Sequence, residues 1–127
     1  MPERFPTIEA QQSLAKRLGH FYSDDMQDWE WEVADPARFE EYVDLYETET
    51  LSDDEKFSLM EIILQCIEEA ESDATRKAKW IRVVAHLRGN FRLHESTLQY
   101  WAMWEADEVD QKFCVSDFVR AVLPKSP

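Results

Sequence analysis

Residues 52–71, SDDEKFSLMEIILQCIEEAE, constrain this chain more than any other stretch. Ser52 with Glu55 three residues on is a capping box: the serine hydroxyl takes the N3 amide while the glutamate reaches back to the N-cap amide. The helix that follows is apolar on two faces. Phe57, Met60, Ile63, Leu64, Ile67 and Ala70 make one, and Leu59, Ile62 and Cys66 make the other. Such a helix needs neighbours on both sides, so it belongs at the centre of a bundle. Only Gly19 and Gly89 punctuate the 127 residues, too few glycines for the turns of an all-β chain. A chain of this length buries roughly two-thirds of its unfolded surface without disulfide or metal staples, and residues 1–127 read as a single helical domain.

Around the central helix, Thr7 opens a first helix with Leu14, Leu18 and Tyr22 at four-residue spacing and Phe21 beside them, Gly19 weakening its last turn. Residues 23–35 alternate Trp29, Trp31 and Val33 against Asp28, Glu30 and Glu32, the pattern of an extended segment with one apolar edge. Asp35 followed by Pro36 is a helix start, because aspartate caps and proline lacks an N–H that the first turn leaves unpaired anyway. That helix runs to about Thr48, with Phe39, Tyr42, Val43 and Tyr46 inward and Glu40, Asp44 and Glu47 as an acidic stripe. Asp73 caps a fourth helix through Arg88, ended by Gly89 and Asn90, with Trp80, Ile81, Val83, Val84 and Leu87 pointing inward.

The third and fourth helices then form an antiparallel hairpin. A fifth helix, about 95–105, carries Leu98, Tyr100, Trp101, Met103 and Trp104, large side chains that call for burial or an aromatic contact surface. A short sixth follows Ser116 with Phe118, Val119, Val122 and Leu123 and stops before Pro124, and EADEVDQKFCV between these two reads as a loop. The fold class is all-α: an irregular bundle of about five to six helices around a central antiparallel helix hairpin, HEAT-like by architectural analogy alone.

Charge is placed unevenly along this bundle. Twenty-seven Asp and Glu against fourteen Lys and Arg give a net −13, which disfavours nucleic-acid phosphates and anionic membranes. Residues 24–73 hold nineteen acids against only Arg38 and Lys56, whereas 74–94 contain Arg76, Lys77, Lys79, Arg82, Arg88 and Arg92 and no acid. Six cations cannot neutralise that excess, so acidic surface stays unpaired. Arg76 and Lys77 also sit in a first helical turn, where the macrodipole disfavours cations. Glu68, Glu69 and Glu71 across the turn are their nearest candidate partners.

Chemistry-bearing motifs are missing from the sequence. His20, His86, His94, Cys66 and Cys114 are scattered singly, with no CxxC, HExxH or EF-hand loop, and no metal or cofactor is expected. Cys66 reads as core, and both cysteines as free thiols. His94 reads as a cap or solvent position. The pairs Glu41/Asp44, Glu68/Glu71 and Glu105/Glu108 share three-residue spacing with the magnesium ligands of all-α nucleotide pyrophosphohydrolases, but do not reproduce the ExxE-then-ExxD order. Two isolated glycines build no phosphate cradle, and there is no GxSxG elbow. No catalytic residue is assigned.

What remains is surface. Trp29 and Trp31 among Asp24, Asp25, Asp28, Glu30 and Glu32, with Glu40, Glu41, Asp44 and Glu47 extending the negative field, suit recognition of a basic protein partner. The plainer alternative tucks both tryptophans inward and leaves the acids as solubilising surface. The sequence thus points to a small cytoplasmic acidic protein-binding module, in its sharpest form an immunity or antitoxin-type inhibitor that covers a cationic site. The alternatives are a metal-dependent all-α hydrolase using helix carboxylates and a DNA-mimicking regulator, and homodimerisation through the aromatic fifth helix stays open.

Overall fold

In a computed structural model of the chain, Ser52 Oγ accepts from the Glu55 amide at 3.1 Å and Glu55 Oε1 accepts from the Ser52 amide at 3.0 Å. The capping box is therefore formed, and the helix it starts runs Asp53–Glu68. The structure describes residues 5–26, 28–48, 50–103 and 113–123. Their elements are α1 (Ile8–Leu18), α2 (Trp29–Val33), a 3-10 turn (Pro36–Arg38), α3 (Phe39–Thr48), α4 (Asp53–Glu68), α5 (Asp73–Gly89), α6 (Phe91–Ala102) and α7 (Ser116–Val122). No strand occurs among the described residues, so the all-α class holds. The loop at 105–112, the pair Glu105/Glu108, Trp104 and Pro124 lie outside them. Two compact units divide the chain, Phe5–Glu69 and the segment from Ala70 onward, with the boundary between the two helices expected to form the hairpin.

In the first unit α1, α2 and α3 all pack against α4, which explains its two apolar faces. Leu59, Ile62 and Cys66 are as fully buried as Phe57, Met60, Ile63, Leu64 and Ile67. On α3 the inward set Phe39, Tyr42, Val43 and Tyr46 is buried as its 3.6-residue period requires. Helix α1 starts as expected, with Thr7 Oγ1 accepting from the Ala10 amide at 3.2 Å. It ends four residues short of Tyr22. Gly19 takes the left-handed conformation at φ 70° and closes the C-terminus, a position where a side chain would be strained.

In the second unit, the N-cap of α5 is Ser72 rather than Asp73: its hydroxyl accepts from the Thr75 amide at 3.1 Å. Asp73, one residue inside, pairs instead with Arg76 at 2.6 Å, and Arg76 also donates to the Ala70 carbonyl at 3.0 Å. A buried first-turn arginine is tolerated because its own turn and the preceding carbonyl receive it. Trp80, Val83 and Leu87 point inward, but Ile81 is 62% exposed, on the outer side with Ala74, Ala78 and Ala85.

Helix α6 begins at Phe91, four residues earlier than its apolar pattern suggests, so a single residue, Asn90, separates it from α5. This brings His94 into the helix, where it is fully buried and not a solvent position. Three contacts then lock α7 to the unit. Phe118 stacks on Trp80 with ring centroids 5.7 Å apart, Ser116 Oγ donates to the Trp101 carbonyl at 2.7 Å, and Arg120 Nε donates to the Ala102 carbonyl at 2.6 Å. Arg120 Nη2 also donates to the Met103 carbonyl. Met103 itself is held at φ 48°, a left-handed cap unusual for methionine, and Arg120 satisfies the carbonyls that this cap leaves open.

Candidate functional site

The first unit carries eighteen carboxylates against Lys16, Arg17, Arg38 and Lys56, a balance of −14. Ten of those eighteen acids lie between the end of α1 and the end of α3. That stretch is built on four fastenings. The His20 amide donates to the Ala15 carbonyl at 2.9 Å, completing the glycine cap. Trp29 Nε1 donates to the Phe21 carbonyl at 2.8 Å, and the Tyr22 ring packs on Trp29 with centroids 6.3 Å apart. Asp35 Oδ1 accepts from the Ala37 amide at 3.0 Å, so the predicted Asp-Pro start is formed, as a 3-10 turn leading into α3.

Arg38 is the fourth fastening, and its role is not readable from the sequence. Its guanidinium donates to the Leu18 carbonyl at the end of α1 at 2.7 Å and forks onto Glu41 at 2.6 and 2.9 Å. It lies 5.7 Å from the Tyr42 ring centroid and 3.4 Å from the His20 ring nitrogens. His20 Nε2 in turn sits 2.9 Å from the Tyr42 hydroxyl, which also accepts from the Asp35 amide at 3.2 Å. Burial pushes the Tyr42 hydroxyl up to about 12, so it stays protonated and structural at neutral pH. Burial first, and then Arg38, push His20 below its ordinary value, while hydrogen bonds from Arg38 hold the Glu41 carboxyl below its own.

The predicted residues divide sharply against this frame. Asp24, Asp25, Asp28, Glu32, Glu40, Glu41, Asp44 and Glu47 are all exposed. Trp29 is fully buried and Glu30 is 4% exposed, its carboxylate accepting from Gln11 Nε2 at 2.9 Å. Trp31 is half-buried and donates to Glu61 at 3.2 Å. Trp29 and Glu30 therefore do not belong to an exposed surface. The reason is that residues 29–33 form a helical turn, not an extended edge. The Trp31 and Glu32 amides bond back to the Asp28 carbonyl, and adjacent residues 100° apart can both face inward once Gln11 satisfies the carboxylate.

The aromatic among these acids is instead Phe21, 75% exposed. Reading α1 through to Tyr22 hides it beside the apolar face; the glycine at 19, read as a helix terminator, is the signal that releases it. Among the described residues, no group of three His, Cys, Asp or Glu side chains is placed to hold a metal ion. Cys66 is buried, Cys114 is exposed and neither is bridged. No described helix is long and apolar enough to cross a membrane. No family model, curated protein or solved structure matches the chain. The surface itself, exposed carboxylates carried on a braced scaffold, can attract and orient a cationic partner.

Proposed function

We propose that this chain is a small acidic protein-binding module that docks a basic protein partner through the carboxylates between α1 and the end of α3. One observation carries the reading: eight of the nine predicted carboxylates are exposed, in a unit with only four basic side chains. An excess of like charge within one compact unit repels itself and weakens the fold, and a cationic partner relieves that repulsion on binding. An immunity or antitoxin-type inhibitor is the sharpest form of this function, since covering a cationic catalytic site requires carboxylates on a rigid surface. A cytoplasmic setting suits the two unbridged cysteines.

The test is capture from native extract at low salt by the wild type and by the Glu40→Lys/Asp44→Lys variant, followed by affinity measurement with the purified partner. The expected result is one basic protein bound by the wild type, with affinity falling as salt rises and about 10- to 100-fold weaker for the variant at low salt. A purified partner whose affinity is indifferent to both salt and charge reversal would overturn the steering mechanism.

A further inference from the structure

We infer that Phe21 is the aromatic anchor of the acidic surface and selects partners that present an apolar socket flanked by Lys or Arg. This inference rests on the protein-binding reading and specifies the partner's chemistry. An exposed phenylalanine is usually a minor accident of a surface, but here the surrounding backbone is fixed. The His20 amide is tied to Ala15, the His20 ring is within hydrogen-bond distance of the buried Tyr42 hydroxyl, and the Phe21 carbonyl accepts from the buried indole of Trp29 at 2.8 Å. These fastenings hold the residue's main chain while its ring stands 75% exposed. With the backbone already fixed, binding has no loop to order and restricts only the two side-chain torsions of the ring, a small cost for the area an aromatic side chain buries.

Its chain neighbours set the chemistry of the occupant. Asp24, Asp25 and Asp28 are all exposed and follow within seven residues, so positive charge beside the socket that receives the ring is favoured over negative. A second copy of this surface would bring the same carboxylates and be repelled. Phe39 and Phe57 are buried in the same unit, so its core accepts large rings while Phe21 stays outside.

The test uses two labelled synthetic peptides of equal length and equal positive charge, one of lysine with serine and glycine, the other of lysine with leucine. Binding to the full chain is followed at low salt by fluorescence anisotropy. The wild type is expected to bind the leucine-containing peptide about tenfold more tightly than the polar one, a difference of about 1.4 kcal/mol. Phe21→Ser should bring the two affinities within about twofold without moving the melting temperature, and Phe21→Trp should keep the preference. Asp24→Asn/Asp25→Asn/Asp28→Asn should weaken both peptides alike. If Phe21→Ser leaves the preference intact, or the wild type shows none, the anchor role is overturned while the acidic docking surface stands. If neither peptide binds, both fail together.

Discussion

Trp29 Nε1 donates to the carbonyl oxygen of Phe21 at 2.8 Å, so the first unit's fully buried indole holds the backbone of its most exposed aromatic. The two residues should respond oppositely to substitution. Trp29→Phe deletes the donor and some core volume, and its expected cost is about 1–3 kcal/mol in urea unfolding. Phe21→Ser removes a ring that stands mostly in solvent and should stay within about 0.5 kcal/mol of wild type. Equal losses from the two variants would mean that Phe21 packs in solution.

Glu55 ties the start of α4 to α1. Its carboxylate accepts from the Ser52 amide and from Ser13 Oγ at 2.7 Å, with Arg17 3.4 Å away. Burial alone raises such a carboxyl, but these donors outweigh it and hold Glu55 below its ordinary value. A depressed carboxyl stabilises the fold above its unfolded value, and that contribution fades as pH falls through the lower, folded value. Glu55→Gln should therefore cost about 1 kcal/mol near neutrality, with the gap to wild type closing in acid. Parallel stability curves across that range would show that ionisation of Glu55 contributes nothing.

The helices were largely legible in the sequence because their signals are local. The Ser52/Glu55 capping box, the Asp35-Pro36 start and the 3.6-residue period of α3 each act within one or two turns, and all appear in the structure. The site was harder to read because it depends on partners distant in sequence. Glu30 is inside only because Gln11, nineteen residues away, meets its carboxylate, and Arg38 matters because the end of α1 presents the Leu18 carbonyl to it. Alternation over 29–33 fitted a strand as well as a single helical turn, and only tertiary packing separates the two. Phe21 lies outside the apolar face because Gly19 ends α1 before reaching it, and the four-residue apolar spacing through Tyr22 masks that stop.

His20 gives a second handle on pH. Burial and the neighbouring Arg38 lower it, partly opposed by Glu41 and Asp35. A histidine lowered in the folded state binds its proton more readily when unfolded, so stability is full above the ordinary value of 6.5 and declines as pH falls below it. An NMR titration of the His20 ring should give a midpoint below 6.5 in wild type and a higher one in Arg38→Gln, where the nearby cation is gone. An unmoved midpoint in the variant would leave burial as the whole cause.

Two isoleucines on successive long helices separate core from surface. Ile63 on α4 is buried and Ile81 on α5 is 62% exposed, although the apolar pattern of α5 counts Ile81 among its inward residues. Ile63→Ala should cost about 2–5 kcal/mol through the cavity it leaves. Ile81→Ala should be neutral within about 0.5 kcal/mol, with alanine's better helix propensity offsetting any lost contact. A large loss at Ile81 would show that its face of α5 is covered in solution, and the protein-concentration dependence of the melting temperature would then reveal whether a second copy covers it.

Arg76 and Asp73 form the last test, because the pair is lopsided. The Arg76 side chain is nearly buried, while that of Asp73 is fully exposed at the first position of α5. Arg76 also supplies a donor to the Ala70 carbonyl, which Asp73 cannot replace. Asp73→Ala removes an exposed ion-pair partner and a favourable first-turn charge, both screened by solvent, and is expected to be the milder change. Arg76→Met keeps the aliphatic bulk but strips the donor from the carbonyl, and about 1–3 kcal/mol should be lost. Denaturant unfolding of both variants orders the two contacts. Should Asp73→Ala prove the more damaging, the first-turn arginine is held chiefly by the ion pair, and the bond to Ala70 is incidental.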